Sequence, residues 1–253
     1  MLLSLLIALV VSSIVTQIAV YSTTIYLHRT ATHRAIVLHP AVAWVFRFCL
    51  WLTTGIVARE WVAVHRKHHA HTDEEGDPHS PHLEGFWKVQ LGNVFYYLRH
   101  ARDGAVVEKY ARDMKPDVWD RVLFDYGTVG LISGIVVLCW ALGLGWGLFA
   151  AALHMVMYVF VLSSSINGLC HYVGYKNFEN TATNVRLVAW LTGGEGLHNN
   201  HHGYPRSPKF SFRHGRRLEF DPGWLLIRAL TVLKLARPLK TIEEAARLQP
   251  QEG

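Results

Sequence analysis

Four short stretches of this sequence carry side chains able to do chemistry: HRTATH at 28–33, HRKHH at 65–69, NGLCH at 167–171 and HNNHH at 198–202. His65, His68 and His69 lie at i, i+3 and i+4, a spacing that gathers three imidazoles on one helix face. His198, His201 and His202 repeat it, and Asn167 and His171 are four apart. His28 and His33 are five apart; on a regular helix they would diverge by about 140°, so that pair needs a helix end or a bend. One HxxHH alone suits a surface helix with exposed histidines. Two copies, with HxxxxH and NxxxH, each at the end of an apolar segment, point instead to a shared metal site. A zinc site takes about four ligands, so nine histidines imply two metals. An imidazole-rich site without thiolates suits iron, zinc, copper or nickel, and ligand type alone does not choose among them.

The elements that must position these groups are oily. Of 253 residues 51% are apolar, only 17% are charged, and sixteen are histidine; a soluble domain carries roughly 25% charged residues. Mean hydropathy is positive, and a single-domain membrane protein follows. Cys49, Cys139 and Cys170 lie in apolar stretches without a CxxC pair, which excludes a disulfide framework and a thiolate metal site. The net charge of +6 comes from basic residues in polar loops beside hydrophobic segments, the positive-inside pattern. No nucleic-acid-reading motif accompanies them.

Residues 1–27 are free of charge and long enough to cross a bilayer; they lack the basic start and small-residue cleavage site of a signal peptide. A second apolar stretch, 41–58, contains Arg47. A third and fourth run from Thr128 to Ala150 and from Ala151 to Leu169, with Gly143, Gly145 and Gly147 offering a place to turn. If 41–58 crossed the membrane, His28 and His33 would face the compartment opposite His65, His68 and His69. A shared site therefore requires 41–58 to lie at the interface or to re-enter from the same side, and Arg47 disfavours a full crossing. The expected fold is an all-α integral membrane protein with about three transmembrane helices: 1–27 and the pair in 128–169. The interfacial or re-entrant helix 41–58 joins them, and a histidine-rich cytosolic cap is made by 59–127 and 170–253. Pro222–Leu235 reads as an amphipathic helix on the membrane surface.

HRTATH, HRKHHAHTDEEGDPHSPH, NGLCHYVG and GEGLHNNHHGYP together resemble the histidine boxes of the membrane fatty-acyl desaturases, nearest to the acyl-CoA delta-9 (stearoyl-CoA) branch and its bacterial relatives. The likeness runs from about Tyr21 to Leu235. It implies two irons held by His28, His33, His65, His68, His69, His171, His198, His201 and His202, with Asn167 acting through water. It also implies O₂ as co-substrate and a cis double bond placed in a saturated acyl chain, carried on CoA, a carrier or a lipid. Such a family member would sit in a bacterial inner membrane with its cap in the cytoplasm. Relatives have two crossings before the first box, where this chain has room for one. Metal-bound imidazoles need partners for their second nitrogens, and Asp73, Asp77 and Glu195 are the candidates. Trp87, Phe95, Trp119 and Trp190 are candidates for lining an acyl tunnel, and Arg99, Lys109 and Arg112 for attracting phosphates or lipid headgroups. His71, His79 and His82 are expected to cap loops or meet solvent, while His39, His100, His154 and His214 fall outside the pattern. No flavin, haem or GxGxxG signature is present, so electrons are expected from a separate donor such as a ferredoxin or rubredoxin with its reductase. Rival chemistries are hydroxylation or acetylene formation on the same scaffold; a zinc-binding protein or metal transporter is the rival from another class.

Overall fold

A computed structural model of the chain describes residues 1–212, 218–242 and 244, so His214 lies outside the described residues. The first apolar segment forms α1 (Leu2–Ser22), which continues without a break into a π-helical stretch, Thr23–Thr32. Within that stretch the hydroxyls of Thr30 and Thr32 donate to the carbonyls of Ile25 and Leu27, and the His33 amide donates to the His28 carbonyl. Every one of these bonds reaches five residues back. An i→i+5 turn is wider than an α-helical one, and it brings residues five apart onto one face. This is the bend that HRTATH demanded.

After His33 a three-residue strand, β1 (Ile36–Leu38), pairs antiparallel with β2 (Ala236–Pro238), Val37 opposite Arg237. The expected all-α fold is corrected to this extent. Ile36 and Leu38 are buried and Val37 exposed, the period-two alternation of a strand with one covered face.

Helix α2 (Pro40–Thr54) starts behind a His39 cap and stops at Gly55, whose φ of 65° suits glycine. The chain then turns by 89° into α3 (Ala58–Ala70). Arg47, midway along α2, forks onto Asp117 at 2.8 and 3.0 Å, reaches Asp120 at 2.5 Å and stacks on Phe124. The guanidinium hydrogen bond holds the Asp117 carboxyl down at about 2. The charge that disfavoured a crossing is thus neutralised by the loop ahead of α7 (Gly127–Leu142). Helices α2 and α7 cross closely: a Cβ on Gly127 would lie 2.0 Å from the Gly55 carbonyl oxygen.

The chain reverses at Gly143, φ 80°, into α8 (Leu144–Met155). The hairpin turns at the first of the three glycines that the sequence offered, because glycine supplies the positive φ there, and the third apolar segment therefore ends at Leu142 rather than at Ala150. From α8 a π-helical stretch (Val156–Ser163), α9 (Ser164–Asn167) and a 3₁₀ turn (Leu169–His171) form one 28-residue rod. Leu2–Thr32 and Leu144–His171 are long and apolar enough to cross a bilayer. Helix α7, at 16 residues, is about 24 Å long, shorter than the roughly 20 residues a crossing ordinarily needs. His154 ties the bundle together. Its Nε2 donates to the Thr53 carbonyl at 2.8 Å, leaving Nδ1 to accept from the Thr16 hydroxyl at 3.0 Å.

Beyond the bundle, α3 packs on α6 (Gly104–Ala111) through Val62, Ala63, Val106 and Ala111. Helices α4 (Pro81–Glu84) and α5 (Phe86–Ala101) lead between them, and α5 lies along α9. Two short helices follow, α10 (Arg186–Leu191) and α11 (His198–Gly203), and α11 carries the last box. Helix α12 (Pro222–Val232) buries Ile227 against Ile25, Ile36 and Leu38.

Candidate metal centre

The nine histidines of the four stretches converge, and they divide into two groups. His28, His33, His65, His69 and His201 form one; His68, His171, His198 and His202 form the other. Within each group the ligating nitrogens lie within 4.8 Å of one another. Each HxxHH box serves both groups, in opposite proportion. On α3 the i,i+4 pair His65 and His69 goes to the first group and His68 to the second. On α11 the i,i+4 pair His198 and His202 goes to the second and His201 to the first. The i+3 residue of each helix points about 60° away from the i residue and 100° from its neighbour, enough to serve an adjacent ion.

The second ring nitrogens explain the orientation. His28 Nδ1 donates to Glu195 at 2.7 Å, His68 Nδ1 to Asp77 at 3.0 Å, and His171 Nδ1 to Asp73 at 2.8 Å. Each carboxylate fixes its imidazole with the Nε2 lone pair facing inward. Glu195 also accepts from the Thr24 hydroxyl, and Asp77 from the backbone N–H groups of Asp73 and His79 at 2.8 and 3.0 Å. Burial works to raise Asp73, but the hydrogen bond and charge of His171 outweigh it and keep the carboxyl well below the usual range. His68 does the same for Asp77 against the same opposing burial. Burial first, then the neighbouring imidazoles, pushes His33, His65, His69, His198, His201 and His202 well below 6.5. They are therefore neutral, the form that ligates.

The donor set fits metal ions. Nε2 atoms approach in pairs: His28–His201 at 3.0 Å, His69–His201 at 2.9 Å, His65–His69 at 3.1 Å, His33–His65 at 3.2 Å, His68–His202 at 3.3 Å and His198–His202 at 3.2 Å. Two ligands at right angles, each about 2.1 Å from an ion, stand about 3.0 Å apart. Two ring nitrogens at that distance need either a proton or a metal cation between them. His171 Nε2 is buried without a protein partner, as expected of a donor reserved for an ion.

A cavity of about 300 Å³ opens beside the first group. Val20, Leu131, Met155, Val159 and Leu162 give it apolar walls, and His28, His65 and Glu195 border it at the metal end. Asn167 lines the same cavity, its Nδ2 donating to Asn93 Oδ1 at 3.0 Å. Trp87, Phe95, Trp119 and Trp190 do not line it; they are 69, 69, 46 and 63% exposed on the outer surface. Trp119 packs on Trp44 and Trp190 on Phe220.

His79 departs from its expected loop-and-solvent role. It is buried, lines the cavity and stacks on His68 with ring centroids 4.7 Å apart; burial and His68 push it down to about 3. His71 meets the Tyr110 hydroxyl, and His82 Nε2 donates to the His171 carbonyl at 2.7 Å. Sequence reasoning missed Asn93, Asn199 and Asn200. The two asparagines inside HNNHH are fully buried, and Asn199 Oδ1 accepts from the backbone of Asn177 and Phe178 while Asn200 Nδ2 donates to the Phe210 carbonyl and to Glu219. Paired polar residues between ligands on a short helix were the available signal.

The family model described as fatty acid desaturase matches residues 3–221. The chain is 31% identical over 231 residues to the sn-1 stearoyl-lipid 9-desaturase of Synechocystis sp., covering 88% of this chain and 68% of that protein. It is 31% identical over 241 residues to the acyl-CoA C20 Delta5-desaturase of Anemone leveillei, covering 89% and 71%. It is 30% identical over 256 residues to the Delta-9 acyl-lipid desaturase 1 of Arabidopsis thaliana, covering 95% and 77%. The likeness spans all four histidine stretches and the two long apolar helices, which carry the first and third of them. The chain belongs to the fatty acid desaturase family, as a delta-9-desaturase-like oxidoreductase acting on fatty acyl chains.

Proposed function

We propose that this desaturase holds two irons, one in each histidine group, and uses O₂ to place a cis double bond in a saturated acyl chain, at position 9 in keeping with the names of two relatives. The observation that carries the reading is the pair of imidazole groups, one of which borders an apolar cavity. Five imidazoles in one group exceed the four ligands of a tetrahedral zinc site, which favours iron. Bound iron would supply the strongly oxidising chemistry that dioxygen makes available and that no side chain provides. The balance is a saturated C–C unit, O₂, two electrons and two protons giving an alkene and two waters.

The chain's own residues bind, orient and exclude. Glu195, Asp73 and Asp77 keep the protons of His28, His171 and His68 on Nδ1, so that Nε2 stays free to ligate. The apolar walls, Val20, Leu131, Val159 and Leu162 among them, keep water from a methylene chain and hold one C–C unit beside His28 and His65. Asn93 accepts from Asn167 Nδ2 and so leaves Asn167 Oδ1 free to accept from a water that a bound metal would hold. Acyl-lipid and acyl-CoA substrates both occur in the names of the relatives; a lipid-borne acyl chain suits a cavity walled in part by Leu2–Thr32 and Leu144–His171, the two helical stretches long and apolar enough for a bilayer. Electrons come from a separate ferredoxin or rubredoxin with its reductase. The protein lies in a bacterial inner membrane, its cap facing the cytoplasm, with 41–58 re-entering from that side.

The test is fatty-acid profiling by gas chromatography–mass spectrometry in a host expressing the chain and a compatible electron donor. New mono-unsaturated chains, absent with His201→Ala, are the expected result and give the bond position. Products heavier by one oxygen would assign hydroxylation instead.

A further inference from the structure

Metal-ligating imidazoles ordinarily owe their ring rotation to a hydrogen bond at the second nitrogen. His201 has none. Its Nδ1 is buried without a partner, although its Nε2 stands at the centre of the five-histidine group, 2.9 Å from that of His69 and 3.0 Å from that of His28. Something else must set the ring.

The neighbour in place to do so is Phe210, fully buried, with its ring 4.9 Å from that of His201 and 5.5 Å from that of His28. Phe210 is itself held from behind. The guanidinium of Arg29, also fully buried, lies over the ring at 3.9 Å from its centroid. Arg29 Nη2 donates to both oxygens of Asp221 at 3.0 Å and to the Gly193 carbonyl at 3.2 Å. Asp221 in turn accepts the Phe210 backbone N–H at 2.8 Å and caps α12 through Trp224 N–H at 3.0 Å. Arg29 Nε and Nη1 have no hydrogen-bond acceptor among the described residues, so the face of the Phe210 ring is the main partner there for that part of the cation. Two glycines leave room for the assembly. A Cβ on Gly194 would lie 2.3 Å from Asp221 Oδ1, and one on Gly223 2.2 Å from Arg29 Nη1.

We propose that Phe210, clamped by Arg29 and Asp221, is the positioning residue for His201, setting by shape the ring rotation that a carboxylate sets for His28, His68 and His171. The inference rests on the reading that the five-histidine group holds a metal. Phe210 touches no reacting atom; it acts through His201, and Arg29 and Asp221 act through Phe210. A buried charged pair is poor evidence for stability on its own. Here it fixes the ring that abuts two metal ligands.

The test uses the full chain in detergent, reconstituted with ferrous iron. Metal content, Mössbauer spectra and thermal melting are compared for the unsubstituted protein, Phe210→Leu, Arg29→Lys and a packing control, Ile227→Ala. Ile227 is fully buried in the core under α12, packed with Ile25, Ile36 and Leu38. With Phe210→Leu, iron affinity of one group is expected to fall about ten- to a hundred-fold, the range seen when a ligand's orienting partner is lost. The spectrum of the other iron should persist. Arg29→Lys keeps the charge but loses the planar face, and should fall between. Ile227→Ala should lower the melting temperature and leave both affinities unchanged. If Phe210→Leu and Ile227→Ala lower melting and affinity in parallel, Phe210 is ordinary packing and the inference is overturned. If both groups fill in the unsubstituted protein and Phe210→Leu leaves them filled, this inference alone fails. If the unsubstituted five-histidine group takes no metal, the reading beneath it fails too.

Discussion

The two histidine groups are built from the same side chain by different means. In the four-histidine group, two of the four imidazoles, His68 and His171, are turned by carboxylates, Asp77 and Asp73. In the five-histidine group one of five, His28, is turned by Glu195, and His201 rests on Phe210 instead. The groups also differ in what they face. His28 and His65 border the apolar cavity, whereas none of His68, His171, His198 and His202 does. The group beside the cavity thus has fewer charged supports, and the group behind it has more; the one carboxylate of the five-histidine group, Glu195, itself borders the cavity.

The sharpest way to break this comparison is to remove one ligand from each group. His201→Ala and His202→Ala, adjacent on α11, should each abolish product while halving iron content, one from each group. Product profiling with elemental analysis of the purified variants measures both. If either substitution empties both groups, they are a single cooperative site and the contrast between them loses its meaning.

A smaller effect should follow from the carboxylates. Asp77→Asn and Asp73→Asn should weaken the four-histidine group about ten- to a hundred-fold in metal affinity, and Glu195→Gln the five-histidine group similarly. Titration of the metal-free variants with ferrous iron would read this, and an equal loss from both groups in any one variant would contradict the division. Acid should act on both groups together. Six imidazoles are held below 6.5 in the folded state, so below that pH the unfolded chain binds more protons than the folded one. Stability of the metal-free protein is therefore full above pH 6.5 and declines as pH falls beneath it. Metal retention declines in the same direction, because protons compete for Nε2. Melting curves across that range check the sign.

The histidines that gather into the two groups were legible in the sequence because helical spacing is a strong constraint: nine were named and nine converge. Asp73, Asp77 and Glu195 were legible for a related reason, being carboxylates within a few residues of the boxes. What spacing could not show was the division of each box between two groups, since i, i+3 and i+4 share a face at the resolution of a helical wheel. The π-helical turn at Thr23–Thr32 was visible only as a need for a bend. Phe210 and Asn93 were hidden because they reach the site from distant segments, and nothing local marks an apolar ring or a lone amide as a neighbour of a ligand. The strand Ile36–Leu38 was missed because its partner stands two hundred residues away in the chain.

The smallest expected effect is the most instructive about the cavity. Aromatic side chains near histidine boxes look like tunnel walls in a sequence, yet Trp87 and Phe95 are both 69% exposed on α5. Helix α5 turns Asn93, Val94, Tyr97 and Leu98 toward the cavity, which directs Phe95 elsewhere by the 3.6-residue period; Trp87 shares their face but stands two turns nearer the start of α5, outside the cavity lining. Trp87→Ala and Phe95→Ala should therefore leave the chain-length profile and the bond position unchanged, with stability altered by about 0.5 kcal/mol or less. Val159→Phe, on the cavity wall, should instead cut turnover of long saturated chains more than of short ones, because the added ring occupies space the chain needs. Competition between acyl chains of different length, analysed by gas chromatography, separates the two outcomes. A shift with Trp87→Ala and none with Val159→Phe would mean that the acyl chain runs along the outer face of α5, and the group bordered by the inner cavity would no longer be the one nearest the substrate.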